Sequence, residues 1–90
     1  MNIEIENYEL FLKHMLQRKY RELGTRFLTK NYFDMDSGEM IQVNITIENE
    51  TIVALTAYQD DDDIIKFPDT ILERVTEDIE SSLNSVTTNL

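Results

Sequence analysis

Apolar and polar residues alternate without interruption from Ile41 to Ile47, with Val43 and Ile45 as the apolar positions between them. Successive side chains of a strand point to opposite faces of a sheet, so this alternation predicts a strand over residues 40–47 with one buried face. Residues 48–50 form a polar turn, and the β-branched run at 51–58 predicts a second strand. Its inward residues are predicted at one set of alternate positions: Val53, Leu55 and Ala57. The other face then carries Ile52, Ala54, Thr56 and Tyr58.

A third strand is predicted at residues 26–33, followed by a turn from Asp34 to Gly38. Its alternation is irregular, because Phe27, Leu28, Tyr32 and Phe33 do not share one face. Residues 25–30 therefore have a second interpretation, as the end of a longer first helix.

Two helices flank the strands. The first is predicted at residues 7–23, where apolar residues recur every three or four positions, with Asn7 as the N-cap and Gly24 as the left-handed residue after the end. The second opens at Phe67-Pro68-Asp69, because proline suits the first helical turn. Its stripe consists of Leu72, Val75, Ile79, Leu83 and Val86.

The order α-β-β-β-α with short turns predicts a two-layer α+β fold, in which a three-stranded antiparallel meander packs against both helices. Ninety residues suffice for a single domain, residues 1–90. A chain of this length buries only about 60–65% of its unfolded surface, so dimerisation or docking on a partner is a reasonable expectation.

Charge is the most informative functional feature, since the formal net charge is −10. In a meander the first turn and the exit of the third strand lie at the same end of the sheet. We therefore expect acids from separate segments to meet there and to contact a partner: Asp34, Asp36 and Glu39 with Asp60, Asp61, Asp62 and Asp63, and with Asp69 nearby. Tyr32 and Tyr58 are the candidate aromatic anchors beside them. The alternative is that these acids only keep solvated loops soluble.

Several classes of site are not predicted. The chain has no cysteine and one histidine, His14, and no catalytic triad or glycine-rich phosphate loop is recognisable. Residues 34–39 resemble the start of an EF-hand calcium loop, which requires glycine at its sixth position and a glutamate ligand at its twelfth. Here glycine is at the fifth position and Ile45 is at the twelfth, so a calcium site is not predicted. We expect a non-enzyme with no cofactor and no metal. With neither a signal peptide nor a membrane-spanning run, we expect a cytoplasmic chain without a membrane partner.

In size, acidity and element order the chain resembles small phage-encoded inhibitors of host defence, the anti-CRISPR proteins. The resemblance rests on Asp34-x-Asp36-x-x-Glu39, Glu48-x-Glu50, Asp60 to Asp63 and the two flanking helices. It implies a DNA mimic whose carboxylates occupy the DNA-binding cleft of an RNA-guided nuclease in the host cytoplasm. The basic residues of the first helix depart from that pattern.

The functional hypothesis is therefore an acidic inhibitor of a basic protein that handles nucleic acid. Direct DNA binding is not expected, because a chain with this charge repels phosphate. Two alternatives remain: an immunity protein or antitoxin that neutralises a basic toxin, and an oligomeric structural or assembly protein, with a homodimer as its simplest form.

Overall fold

The computed structural model describes residues 1–60 and 63–88, the last four of these in their backbone only. The elements in chain order are β1 (Ile3–Glu4), α1 (Tyr8–Gln17), β2 (Arg21–Leu23), β3 (Phe27–Asp34), β4 (Glu39–Glu48), β5 (Thr51–Gln59), β6 (Asp63–Ile65) and α2 (Asp69–Thr88). The predicted α+β fold is confirmed: β3, β4 and β5 form the antiparallel meander, and both helices pack against it.

Three short strands extend the meander into a six-stranded sheet. The strand β2 pairs with β3 at one side, and β1 and β6 both pair with β5 at the other. Because β4 occupies the opposite side of β5, β1 and β6 share one edge of that strand. Elements of two or three residues are too short to produce a periodic signal, which is why the sequence pattern did not reveal them.

The core lies between one face of the sheet and the two helices. Phe11 and Met15 of α1 and Val75 of α2 are fully buried against Val43 and Ile45 of β4. The alternation read at 41–47 therefore predicted the buried face of β4 correctly. Burying this face is the main source of stability in a domain of this size.

The first helix is shorter than predicted, because it ends at Gln17 and not at residue 23. Asn7 caps its start as expected, with its side chain accepting a hydrogen bond of 3.2 Å from the backbone N–H of Leu10. At the other end Lys19 adopts a left-handed conformation with φ of 73°. The N–H of Lys19 bonds to the carbonyl of Leu16, and the N–H of Tyr20 to the carbonyl of Met15. This is a Schellman motif, and it sends Tyr20 into the core.

Gly24 does not end the helix. It lies in the turn between β2 and β3, where its φ of 63° suits glycine. The continued three-and-four spacing at Tyr20 and Leu23 was coincidental, since Tyr20 is buried and Leu23 is 48% exposed. Residues 25–30 belong to the turn and to β3, so the longer-helix interpretation was wrong.

The predicted inward face of the second strand was also wrong at its start. Ile47 pairs with Ile52, whereas Thr46 pairs with Ala54, so Val53 is an extra residue in a β-bulge. Ile52 is fully buried and Val53 only half-buried. A bulge shifts the alternation by one residue, so Ile52 joins Leu55 and Ala57 on the inner face.

Candidate partner-binding surface

The topology brings separate acidic segments to one end of the sheet. The β3–β4 turn and the last residues of β5 lie at that end, because Asp34 pairs with Glu39 and Gln42 with Tyr58. Asp63 pairs with Gln59, so β6 begins there as well. Thr70 and Arg74 of α2 line a groove with residues 33–36, which places the start of α2 beside the turn. We call the exposed acids of this region the acidic end: Asp36, Glu39, Asp60, Asp63 and Asp69.

The acidic end is spread across several strands. Neighbouring strands lie about 4.8 Å apart, so the three steps from β3 to β6 extend it over about 14 Å. Within residues 1–60 and 63–88, the only ion pairs are Arg26–Glu48 and Lys30–Asp78. The carboxylates of the acidic end therefore face solvent without a cationic partner.

Asp34 was predicted to contact a partner, but its side chain is only 7% exposed. Its carboxylate accepts a hydrogen bond of 3.2 Å from the backbone N–H of Asp36 and one of 2.9 Å from the hydroxyl of Ser37. Its carbonyl accepts from the N–H of Gly38, whose φ is 73°. Asp34 thus shapes the turn that presents Asp36, and its burial removes it from the predicted contact set.

The two predicted aromatic anchors have different surroundings. Tyr32 is 2% exposed and belongs to the core, so it cannot anchor a partner. Its position opposite Ile41 puts it on the inner face. Tyr58 is half-buried on the outer face, where it lines a shallow groove with Asn31, Met40 and Asp60. Two further predicted contacts, Asp61 and Asp62, lie outside the described residues.

The acidic end continues along α2. Asp69, Glu73, Glu77 and Glu80 are all exposed and recur every three or four residues. Four helical residues rise about 6 Å, so the row presents negative charges at roughly that interval along one side of the helix. The row and the acidic end together form an anionic surface that crosses from the sheet end to the helical layer.

A polar cluster that the sequence pattern did not predict lies between β3 and α2. The carboxylate oxygen Oδ2 of Asp78 accepts hydrogen bonds from the hydroxyls of Tyr20, at 3.1 Å, and Tyr32, at 3.0 Å. The two hydroxyls also contact each other. The Nζ of Lys30 lies 3.8 Å from the same oxygen and 4.7 Å from the centre of the Tyr32 ring. The guanidinium of Arg74 lies over the Tyr32 ring, 4.7 Å from its centre.

Burial raises the pKa of the Tyr20 hydroxyl well above its usual value, and the hydrogen bond to Tyr32 and the Asp78 carboxylate add to the rise. The pKa of Tyr32 is also raised, chiefly by burial, although the hydrogen bond with Tyr20 partly opposes the shift. Both rings therefore remain neutral in the folded chain. The cluster holds α2 on the sheet.

A signal for this cluster was present in the sequence. Lys30 lies two residues from both Leu28 and Tyr32, so it shares their inner face. Asp78 follows Val75 by three residues and precedes Ser82 by four, which puts it beside the buried stripe of α2. A lysine on the inner face of a strand and an aspartate on the inner side of the covering helix have opposite charges, so a contact between Lys30 and Asp78 could have been predicted.

No group of three or more histidine, cysteine, aspartate or glutamate side chains in the described part of the chain is arranged to hold a metal ion. Within that same part, no helix is both long enough and apolar enough to span a membrane. The grooves beside the acidic end are open depressions at the surface. The arrangement is suited to surface contact with a partner.

Comparison with known proteins adds no family assignment: no family model, no curated protein and no solved structure matches the chain.

Proposed function

We propose that this chain is a non-catalytic binding protein whose acidic end occupies a basic, nucleic-acid-binding surface of a partner protein. The observation that carries the proposal is the set of exposed carboxylates at that end, none of which forms an ion pair within the described residues. Such a surface repels itself, and an opposing basic surface relieves that repulsion.

Geometry supports a partner that normally binds nucleic acid. The acidic row of α2 repeats at about 6 Å, and the acidic end is roughly 14 Å wide. A basic cleft that follows phosphates is lined by lysine and arginine at comparable intervals, so it can pair with several of these carboxylates at once. Isolated surface charges do not offer that multiple contact.

The resemblance to anti-CRISPR proteins suggests the finer proposal that the partner is an RNA-guided nuclease in the host cytoplasm, which the chain inhibits by excluding target DNA. A basic toxin is the competing partner, because it offers the same charge without a requirement for nucleic acid. Competition with DNA separates these two partners.

The direct test is capture of partners by the immobilised chain at low and at high salt, with identification by mass. We expect a nucleic-acid-binding protein that is retained at low salt and released by salt or by added double-stranded DNA. Capture of a basic protein that DNA does not displace would favour the toxin alternative and contradict the nucleic-acid part of the proposal.

A charge-matched pair of variants tests the surface itself. Replacing Asp36, Asp60 and Asp63 with Asn removes three charges from the acidic end, and Asn is compatible with the positive φ of Asp60. Replacing Glu4, Glu6 and Glu9 with Gln removes three exposed charges near the opposite end of the sheet. We expect the first variant to associate with the captured partner about tenfold more slowly and the second to change little. Equal effects would show that only the net charge matters.

A further inference from the structure

The outer face of the sheet carries no charge over the central part of its three long strands. Charged side chains lie at its borders, with Arg21 of β2 opposite Thr29 and Glu48 at the end of β4. The residues of the central part alternate along β3, β4 and β5: Phe27, Thr29, Asn31 and Phe33 on β3, Met40, Gln42, Asn44 and Thr46 on β4, and Ala54, Thr56 and Tyr58 on β5. We call these the uncharged face. Each of them is apolar, aromatic, or a Thr, Asn or Gln, although 29% of the whole chain is charged. Both helices pack on the opposite side, so no described element covers this face.

Large apolar side chains project from the uncharged face. Phe33 is 52% exposed and pairs with Met40, which is 55% exposed, across β3 and β4. At the neighbouring short strands, Leu23 is 48% exposed opposite Phe27, and Ile64 is 70% exposed opposite Tyr58. Polar groups there are partly satisfied within the face, since the Gln42 amide donates to Asn44 at 3.0 Å. The hydroxyl of Thr29 on the same face is buried without a hydrogen-bond partner among the described residues, so the face combines exposed hydrophobic area with polar side chains of mixed satisfaction.

We infer that a second copy of this chain packs on the uncharged face, giving a symmetric dimer in which the two sheets lie face to face and the helices lie outside. Two copies with a charge of −10 each can approach closely only where neither presents carboxylates. The uncharged face is such a surface, and its two-fold pairing with itself is the commonest arrangement of soluble oligomers. Packed sheets of this kind interdigitate side chains at about 10 Å separation.

Other occupants fit less well. A basic protein is drawn to the carboxylates of the acidic end and the α2 row. The acidic end borders the uncharged face at Asp60, which lines a groove with Met40 and Tyr58, whereas the α2 row lies on the helical layer. A single-stranded nucleic acid could stack on exposed aromatics, but the surrounding negative charge repels its phosphates. A neutral surface on a strongly acidic molecule matches another copy of itself best.

The area sets the expected strength of the dimer. The three long strands, each about 30 Å long and about 4.8 Å apart, together with the short strands β2 and β6 give a flat footprint of roughly 500 Å², which protruding side chains enlarge. A standard interface buries about 800 Å² on each partner, and weaker complexes bury less than about 600 Å². The dimer is therefore expected to dissociate on dilution.

Salt distinguishes this dimer from the partner complex proposed above, and the two proposals stand independently. Salt screens the repulsion between the acidic chains but leaves apolar burial intact, so dimerisation should strengthen as salt is added. Binding of a basic partner should weaken over the same range.

The test is sedimentation velocity of the full chain over a wide concentration range at low and high salt. We expect a shift from the 10.6 kDa monomer to twice that mass, at lower concentration when salt is high. Met40→Glu places a negative charge on the exposed part of the face on both copies and should weaken dimerisation about tenfold or more. Thr76→Glu adds the same charge on the exposed side of α2 and should not.

Phe33→Ser is the second variant, which removes apolar area without adding charge. It should also weaken the dimer, and circular dichroism with urea titration confirms that each variant is folded. A monomer under all conditions, assembly beyond two copies, or a dimer that neither Met40→Glu nor Phe33→Ser weakens would overturn the inference.

Discussion

The hydroxyl of Tyr32 donates a 3.0 Å hydrogen bond to Oδ2 of Asp78, and this contact joins β3 to the middle of α2. The same oxygen accepts from Tyr20 at 3.1 Å and faces Lys30. One carboxylate on the helix thus satisfies polar groups from the chain entering β2 and from β3. Helix α2 is held by this cluster in addition to its buried apolar residues Ile71, Val75 and Ile79.

Removal of the carboxylate should destabilise the fold. In Asp78→Ala the hydroxyls of Tyr20 and Tyr32 lose their common acceptor while remaining buried, so we expect a loss of about 2–3 kcal/mol in the free energy of unfolding. Asp78→Asn retains an oxygen acceptor and should lose about 1 kcal/mol. Urea titration measures both. Glu77→Ala, on the exposed side of the same turn, is the control and should change stability by less than about 0.5 kcal/mol. Equal losses at residues 77 and 78 would contradict the role of the cluster.

Stability should fall in alkaline solution. The pKa values of Tyr20 and Tyr32 are raised in the folded chain, so above a pH of about 10 the unfolded chain releases protons that the folded chain keeps. The unfolded state then binds fewer protons, and stability decreases with pH by up to about 1.4 kcal/mol per pH unit for each tyrosine. This stabilisation is fully present below pH 10.

Two measurements check the alkaline prediction. Urea titrations at increasing pH give the slope of stability, which Tyr20→Phe should reduce because one shifted group is removed. Ultraviolet absorbance of tyrosinate should show Tyr20 and Tyr32 ionising together with the loss of circular dichroism. Ionisation of these two rings in a chain that stays folded would contradict the prediction.

Because of the bulge, two neighbouring residues of β5 should differ in how much they contribute to stability. Ile52 is fully buried opposite Ile47, so Ile52→Ala should cost about 2–5 kcal/mol. Val53 is the extra residue, and Val53→Ala should cost about 1 kcal/mol or less. If the strand alternated without a bulge back from Ala57, Val53 would face inward and Ile52 outward, and Val53→Ala would be the more costly change. Urea titration of the two variants decides between the two registers.

The same substitution should have opposite effects at two lysines near α1. Lys19 has φ of 73°, so Lys19→Gly relieves backbone strain and should stabilise the chain by about 0.5–1 kcal/mol. Lys13 is exposed within the helix, where glycine should cost about 1 kcal/mol. Thermal unfolding measures both variants. A loss at both positions would argue against the Schellman ending.

Long periodic segments were predictable from the sequence, and breaks in periodicity were not. The alternation at 41–47 located β4 and its buried side because a single face of one strand controls every second residue. The end of α1 was not predicted, because the left-handed residue that closes a helix is usually glycine, and here that residue is Lys19 and not Gly24. The bulge was not predicted either, because Ile52 and Val53 are both β-branched and either could face inward.

The acidic end was predictable from topology, but the role of each member was not. Meander geometry alone placed Asp60 and Glu39 at a common end of the sheet. It could not distinguish Asp36, which is exposed, from Asp34, whose carboxylate is used within the turn. That distinction depends on the side-chain geometry of the turn. The sequence likewise could not show that the Tyr32 hydroxyl donates a hydrogen bond to Asp78 inside the fold and is not available to a partner.

The pairing of β1 and β6 with one edge of β5 has a consequence for synthesis. Ile3 is synthesised well before its partner Ile52, because 48 residues separate the two in the sequence. The other occupant of that edge, β6, follows later still. Contacts between such distant segments form slowly, so α1 must await the sheet it covers. Nascent chains that stall before residue 52 therefore cannot attach β1 to the sheet.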